Sequence, residues 1–179
     1  MAERGGRGEQ KKVRRTDGRK TVKERTCCFT GHRDIPRGEY EVIKRRTEEA
    51  VERLIEKGVV YFGAGGALGF DTLAAEVVLE AKKKHPEVKL ILILPCIDQD
   101  RLWSNEDKRI YANIKVQSDK IVYTSEKYIR GCMHKRNRHL VDNSAYCICY
   151  LTKNEGGTFY TVNYAKDANL TIINVAEGS

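Results

Sequence analysis

Residues 63–69 form a glycine-rich segment whose residue types suit the binding of an anion. Glycine lets the backbone approach a phosphate closely, and a helix predicted to begin at Asp71 would direct its unpaired amides and the positive end of its dipole toward that group. No Lys-Ser or Lys-Thr pair follows, so the segment is not a P-loop and kinase-type transfer loses support. Asp71 itself could accept a hydrogen bond from a ribose hydroxyl or cap the helix, and the sequence leaves both roles open. The candidate phosphate contacts in this segment are Gly63, Gly65, Gly66 and Gly69.

A second glycine-rich helix start, Gly156-Gly157-Thr158, follows a predicted strand late in the chain. One such turn is weak evidence, because many Gly-Gly turns only connect a strand to a helix. Two glycine-rich helix starts at the same edge of a sheet could hold the two ends of one ligand. Together they predict a crevice for a phosphate-bearing small molecule.

The first predicted strand ends in Gly31-His32-Arg33, a further candidate for ligand contact. Gly31 permits a tight turn, and the Arg33 guanidinium offers a bidentate fork for a phosphate or a carboxylate. The alternative is an ordinary polar loop with a surface arginine. The sequence favours ligand contact and leaves that alternative open.

A basic helix carries the remaining candidates. Arg136 and Leu140 are four residues apart and Asn137 and Leu140 are three apart, so the three share one helical face. We expect Leu140 to reach the core and Arg136 to reach a ligand, with Asn137 beside it; the alternative is a solvated basic face. His134 and His139 could act in acid–base chemistry, although a lone histidine is more often a hydrogen-bonded structural residue.

A regular alternation of elements must position these candidates. From residue 26 onward, short apolar runs alternate with longer helical patterns. This order predicts right-handed β-α-β units and an α/β fold, Rossmann-like and doubly wound, with a mostly parallel sheet flanked by helices. Ligands bind such a sheet outside the carboxyl ends of its strands. Strands are predicted over residues 26–30, 59–62, 89–94, 120–123, 146–151 and 171–175, and helices over residues 39–56, 71–84, 102–114, 133–142 and 158–166.

The positive charge of the chain is concentrated at its start. Residues 1–25 contain ten Lys or Arg and four acidic residues, a balance of +6 out of a net charge of +8. The segment is rich in Gly and Arg and has few apolar residues, so we predict a disordered basic tail over residues 1–25 and one folded domain over residues 26–179. The tail could contact nucleic acid weakly through phosphates, or could be a solvated extension.

Composition narrows the remaining classes of protein. No apolar run approaches the roughly 20 residues of a membrane span, and no apolar segment of a signal peptide follows the basic start, so we expect a cytoplasmic protein without membrane contact. The six cysteines lie mostly in apolar runs and form no C-x-x-C pair. We therefore predict buried free thiols, no metal site and no cofactor.

Three blocks, in this order, resemble those of the SLOG superfamily, which takes its name from the DNA-processing protein A and the plant Lonely Guy enzymes. They are the glycine-rich segment at residues 63–69, then Met133-His134-Lys135-Arg136, then Glu155-Gly156-Gly157-Thr158. With the segment Cys27-Cys28-Phe29-Thr30-Gly31-His32-Arg33 in front, the chain looks closest to the YpsA-like branch. The resemblance extends over residues 26–175.

This resemblance implies a fold that binds a nucleotide-derived ligand, in a homodimer or larger homo-oligomer. By similarity, Arg136 matches the active-site arginine of the Lonely Guy phosphoribohydrolases, and Gly156 and Gly157 match their phosphate loop. Those enzymes carry a glutamate in the next helical turn, where this chain has Asn163 or, with a one-residue shift, Tyr164. Neither residue can stabilise an oxocarbenium-like transition state as a carboxylate does, which argues against the same chemistry.

The sequence therefore favours a protein that binds a nucleoside phosphate or an ADP-ribose-like molecule, as a sensor or by sequestering it. Two alternatives remain. One is a hydrolase of the N-glycosidic or phosphate bond of such a ligand, and the other is a nucleic-acid-binding protein. No catalytic residue is assigned.

Overall fold

A computed structural model describes residues 18–178, in which six strands alternate with five α-helices. The strands are β1 (Thr26–Gly31), β2 (Tyr61–Ala64), β3 (Lys89–Leu94), β4 (Lys120–Tyr123), β5 (Tyr146–Tyr150) and β6 (Thr171–Asn174). The helices are α1 (Tyr40–Glu56), α2 (Phe70–Lys84), α3 (Asn105–Gln117), α4 (Cys132–Asp142) and α5 (Gly156–Asp167).

The six strands form one parallel sheet in the order β4-β3-β2-β1-β5-β6. The chain adds strands on one side of β1 as far as β4 and then returns to place β5 on the other side. The order of strands thus reverses between β1 and β5, which is where a doubly wound sheet offers a crevice. The prediction of a Rossmann-like α/β fold is confirmed, and the sheet is parallel throughout the described residues.

Helices cover both faces of the sheet. Helices α1, α2 and α3 pack with Phe29 and Leu92 in the larger apolar cluster. Helices α4 and α5 pack with Cys28 and Ile93 in the smaller one. Neighbouring residues of β1 and of β3 therefore face opposite layers, as expected of parallel strands that are buried on both sides.

Helix α3 begins three residues later than the predicted start at residue 102. Ser104 is its N-cap: Ser104 Oγ accepts a hydrogen bond from the Asp107 amide at 3.1 Å and donates one to the Asp107 carboxylate at 2.7 Å. This pair of bonds fixes the start of the helix. Trp103, predicted to lie inside the helix, precedes it and packs edge-on against Tyr111, with ring centroids 5.1 Å apart.

Strand β2 ends two residues later than predicted and includes Gly63. Gly63 pairs with Cys28 on β1 and Ile91 on β3, and a Cβ atom at this position would lie 2.9 Å from Leu140 Cδ2. Glycine is needed here because α4 approaches the sheet closely. Helix α5 starts at Gly156, two residues before the predicted start.

The predicted tail over residues 1–25 falls mostly on residues 1–17, which lie outside the described residues. Within the described remainder, Lys23–Arg25 form a 3-10 turn. The Lys20 ammonium donates a hydrogen bond to the Lys57 carbonyl at 2.6 Å, just beyond α1. This part of the segment therefore contacts the folded domain.

The described residues also allow a comparison with the predictions on membrane spans, thiols and metal sites. Between residues 18 and 178, no helix has both the length and the apolar character needed to cross a bilayer. The six cysteines are free and buried, as predicted. In the same part of the chain, no three His, Cys, Asp or Glu side chains gather as a metal ion would require.

Candidate functional site

A crevice of about 610 Å³ lies at the carboxyl ends of β1 and β5. This volume falls in the range of small-molecule sites, roughly 300–1,000 Å³. The structure brings nine of the thirteen predicted site residues to its walls. They are the Gly31-His32-Arg33 turn, Asp71 of α2, Arg136 and Asn137 of α4, and the Gly156-Gly157-Thr158 start of α5. The other four, the glycines of the segment at residues 63–69, do not line the crevice.

The turn after β1 supplies one wall. His32 Nε2 accepts a hydrogen bond from the Thr152 amide at 3.0 Å, and the imidazole lies edge-on to Tyr150, 5.8 Å between ring centroids. Burial, together with the nearby Lys153, lowers the pKa of His32 and so favours the neutral ring that this bond requires. Arg33 is exposed at the rim and free to reach a ligand.

The first glycine-rich segment serves close packing more than ligand contact. Gly66 has φ 69° and a Cβ there would lie 2.6 Å from Leu94 Cδ2. Gly69, the N-cap of α2, has φ 78°, and a Cβ there would overlap the Arg33 carbonyl. Both positions need glycine for the backbone conformation and for space. From this region, Ala67 and the Asp71 carboxylate line the crevice.

Asp71 lies at the floor of the crevice, with 6% of its surface exposed. Asp71 Oδ2 accepts a hydrogen bond from the Ala67 amide at 3.2 Å, so the carboxylate folds the glycine-rich segment back onto the first turn of α2. Burial raises the pKa of Asp71, and the nearby Arg136 guanidinium opposes part of that rise. Asp71 thus organises the segment and also presents a polar surface to the crevice.

Arg136 lies beside Asp71 and is 5% exposed. Its Nε donates to Asn137 Oδ1 at 2.7 Å, its Nη1 donates to the Gly65 carbonyl, and its Nη2 approaches Met133 Sδ at 3.7 Å. Burial lowers the pKa of Arg136, opposed by Asp71, but an arginine remains charged in proteins. Leu140 of the same helical face is buried in the core, as predicted.

The start of α5 is open toward the crevice. Its N-cap, Glu155, makes no side-chain capping bond, and a Cβ at Gly156 or Gly157 would meet no atom within 4 Å. The first amides of the helix therefore lie uncapped beside open space, the arrangement in which helix N-termini bind anions. Lys153 lines the crevice next to them.

Lys153 is the main crevice residue that the sequence analysis did not select. It follows β5 by three residues, in the turn that leads to the Gly156-Gly157 pair. Its position in the sequence, a cation between the end of a strand and a glycine-rich helix start, could have identified it as a candidate phosphate contact. Glu155, Met133 and Ala67 also line the crevice; they belong to the three blocks named above, but no residue type or spacing marked them as ligand contacts.

The two histidines of α4 lie elsewhere. His134 is exposed and packs edge-on against Tyr160 at 4.6 Å between centroids, and His139 lines a separate groove on the sheet. By the resemblance to the Lonely Guy enzymes, their glutamate falls at Asn163 or, with a one-residue shift, at Tyr164. Neither residue lines the crevice, and the Tyr164 hydroxyl donates to Asp142 at 2.8 Å.

A parallel sheet with its crevice at the point where the strand order reverses, rimmed by cations and an open helix start, defines a Rossmann-like protein with a candidate ligand site. The chain belongs to the YspA SLOG family, whose sequence model matches residues 28–174. The resemblance noted from the sequence is thereby confirmed.

Bacterial relatives are similar in sequence over most of their length. The SPbeta prophage-derived protein YoqJ of Bacillus subtilis is 32% identical over 141 residues, which cover 72% of this chain and 82% of YoqJ. A UPF0398 protein of Brevibacillus brevis is 31% identical over 118 residues, covering 64% of this chain and 63% of that protein.

Two DNA processing A proteins share the fold. The Streptococcus pneumoniae structure superposes with a TM-score of 0.60 at 16% identity, over 84% of this chain and 50% of that one. The Helicobacter pylori structure, described for its single-stranded DNA binding mode, superposes with a TM-score of 0.58 at 20% identity. This match covers 82% of this chain and 63% of that one. This chain thus spans about half to two thirds of the length of these proteins.

Proposed function

We propose that the protein binds a phosphate-bearing nucleotide derivative, either a nucleoside phosphate or an ADP-ribose-like molecule, as a sensor or by sequestering it. The observation that carries this proposal is the uncapped start of α5, which lines the crevice together with Lys153 and Arg33. Peptide amides, the helix dipole and two cations at one place suit a phosphate group. The remaining volume of the crevice suits the rest of a nucleotide.

Titration calorimetry with nucleoside mono- and diphosphates and ADP-ribose tests the proposal directly. Arg33→Ala and Lys153→Ala should each weaken binding by about 1 kcal/mol, roughly fivefold in Kd, because both side chains are exposed and partly screened. Arg37→Ala removes an equal charge from an exposed residue outside the crevice and should leave the affinity unchanged. If no phosphate-bearing compound binds, the proposal is wrong.

Arg136 is the wrong residue for this test. Its removal would leave the Asp71 carboxylate buried beside a vacated guanidinium site. Breaking a buried charge pair in this way costs roughly 3–5 kcal/mol of stability, so a loss of binding would not distinguish ligand contact from unfolding.

Turnover of the bound molecule is the alternative that the crevice carboxyls, Asp71 and Glu155, keep open. The position that holds glutamate in the Lonely Guy enzymes carries no carboxylate here, which favours binding without hydrolysis. Chromatography of the same ligands after incubation with a high concentration of the protein distinguishes the two. Release of a free base or of inorganic phosphate would establish a hydrolase.

Nucleic-acid binding is suggested by the fold shared with the Helicobacter pylori protein. Residues 1–17 add six basic and three acidic residues to the chain. If this segment binds nucleic acid, deleting it should weaken a salt-dependent affinity for single-stranded DNA, because fewer phosphate contacts release fewer counterions. Equal affinity of the full chain and the shortened chain would exclude the segment.

The proposal also includes a homodimer or larger homo-oligomer in the cytoplasm. Light scattering coupled to size-exclusion chromatography measures the oligomeric state, and fractionation of cells tests the location.

A further inference from the structure

Two charged side chains meet at the floor of the crevice. Asp71 and Arg136 both approach the α-carbon of Gly65, where an added Cβ would lie 2.8 Å from Asp71 Oδ2 and would overlap the Arg136 guanidinium. Both side chains are more than nine-tenths buried, and both line the crevice. The floor therefore presents an acceptor and a donor side by side, away from bulk water.

Several N–H donors of Arg136 lack an oxygen acceptor at this floor. A guanidinium carries five N–H groups, and among residues 18–178 those of Arg136 have two oxygen acceptors, Asn137 Oδ1 and the Gly65 carbonyl. The third contact, between Nη2 and Met133 Sδ at 3.7 Å, is to a weak sulfur acceptor. Three of the five N–H groups are thus without an oxygen partner, and one of these three is directed at the Met133 sulfur.

Asp71 has an acceptor left over as well. Its Oδ2 accepts from the Ala67 amide, while its Oδ1 accepts from none of the side chains or amides in residues 18–178. Because Asp71 Oδ1 is not among the fully enclosed polar atoms that lack a partner, it is accessible from the crevice, where a ligand donor can bond to it.

The charges at the floor decide what kind of ligand group fits there. At this floor the opposite charges of Asp71 and Arg136 offset each other, so a phosphate attracted by the guanidinium would also be repelled by the carboxylate. A neutral group that both donates and accepts can bond to the carboxylate and to the guanidinium together. Adjacent hydroxyls, such as those of a ribose, have this property.

The rim has the opposite character. Lys153 and Arg33 are exposed cations, and the α5 amides are uncapped. The crevice thus combines a cationic rim, whose Arg33 charge also acts on the floor, with a floor at which two opposite charges offset each other.

We infer that the Asp71–Arg136 floor binds the ribose hydroxyls of the ligand while the rim binds its phosphate, so that the protein selects ribonucleotides over 2′-deoxyribonucleotides. This inference rests on the proposed function and narrows its ligand class. It assigns Asp71 as a specificity-determining residue.

Calorimetric titration of the unmodified chain with the ribonucleoside 5′-monophosphates and their 2′-deoxy counterparts tests the selection without any substitution. The ribonucleotides should bind roughly ten- to a hundredfold more tightly, because loss of the 2′-hydroxyl leaves a buried charged group without its partner. Inorganic phosphate, as a probe of the rim alone, should compete with both series.

The Asp71→Asn variant tests whether Asp71 determines the preference for ribose. The amide keeps the size of the side chain and an oxygen for the Ala67 amide, but it removes the charge-assisted bond to a hydroxyl. The preference for ribose should fall to a few-fold, while the affinity for inorganic phosphate should not decrease. Asp34→Asn, an equal change of charge on an exposed residue of the turn after β1, should leave the preference unchanged.

The outcomes separate the two proposals. If ribo- and deoxyribonucleotides bind equally well, the inference is overturned and the proposed function stands. A ribose preference that persists in a folded Asp71→Asn variant overturns the role of Asp71. If neither series nor inorganic phosphate binds, the proposed function fails and this inference fails with it. Should Asp71→Asn not fold, the ratio measured on the unmodified chain still decides.

Discussion

The His32 imidazole joins the turns that follow β1 and β5. Its Nε2 accepts from the Thr152 amide, which only an unprotonated ring nitrogen can do. Residue type and position identified His32 as a crevice residue, and the structure places it there. The bond to Thr152 was beyond the reach of the sequence, because the two residues meet only when β5 pairs with β1.

This bond predicts a pH dependence of stability. The folded-state pKa of His32 lies below the unfolded value, so the folded protein binds fewer protons. The stability that His32 contributes is present above the unfolded pKa, about 6.5, and is lost as the pH falls through the folded pKa. The free energy of unfolding, measured with urea, should therefore fall more steeply between about pH 7 and about pH 5 for the unmodified chain than for His32→Gln.

His32→Gln is a suitable comparison because glutamine can accept from Thr152 through its amide oxygen and does not titrate. The other histidines are present in both proteins, so their contributions cancel. Parallel pH profiles for the two proteins would contradict the assigned role of His32.

The helices and strands were predictable as elements, and their ends were less so. Periodicity identified the six strands and five α-helices of residues 18–178, because each helix must bury one apolar stripe and each strand of a covered parallel sheet must bury both faces. The errors arose where local chemistry sets a boundary: the Ser104 cap delays α3, and the close approach of α4 extends β2 through Gly63. Caps and close contacts depend on side-chain geometry that periodicity does not contain.

Ser104 offers a test of one such boundary. Ser104→Ala removes the acceptor for the Asp107 amide and should lower the free energy of unfolding by about 1 kcal/mol. Ser104→Asp, which preserves an N-cap acceptor, should restore most of it. Asn113→Ala, at an exposed position within the same helix, should change stability by less than about 0.5 kcal/mol. An equal effect of Ser104→Ala and Asn113→Ala in urea denaturation would show that the cap is unimportant.

At the scale of the whole molecule, the sequence predicted the layered parallel sheet and nine of the thirteen proposed crevice residues. The alternation of elements allows few other folds. It did not predict that Asp71 and Arg136 would share the floor, since that depends on α2 and α4 approaching β2 from opposite faces of the sheet. It also did not predict that these two side chains would pack against Gly65 of the first glycine-rich segment.

The burial of every cysteine predicts an inert set of thiols. Burial raises the pKa of Cys149 to about 12 and that of Cys96 to about 11, and it also raises the pKa of Cys27. A hydrogen bond with Cys28, together with burial, raises the pKa of Cys147. The folded protein should therefore show no rapid reaction with a chromogenic disulfide reagent near neutral pH, and all six thiols should react in denaturant. One rapidly reacting thiol in the folded protein, counted by absorbance, would contradict this.

The central place of β1 has a consequence for how the molecule is made. One neighbour, β2, follows it closely along the chain, but the other, β5, arrives roughly 120 residues later. Since the crevice lies between the ends of β1 and β5, it cannot exist while the later part is still being synthesised, even if the earlier strands have already paired. Recovery of the proposed ligand binding during refolding would therefore mark completion of the native topology, which collapse or helix content alone would not.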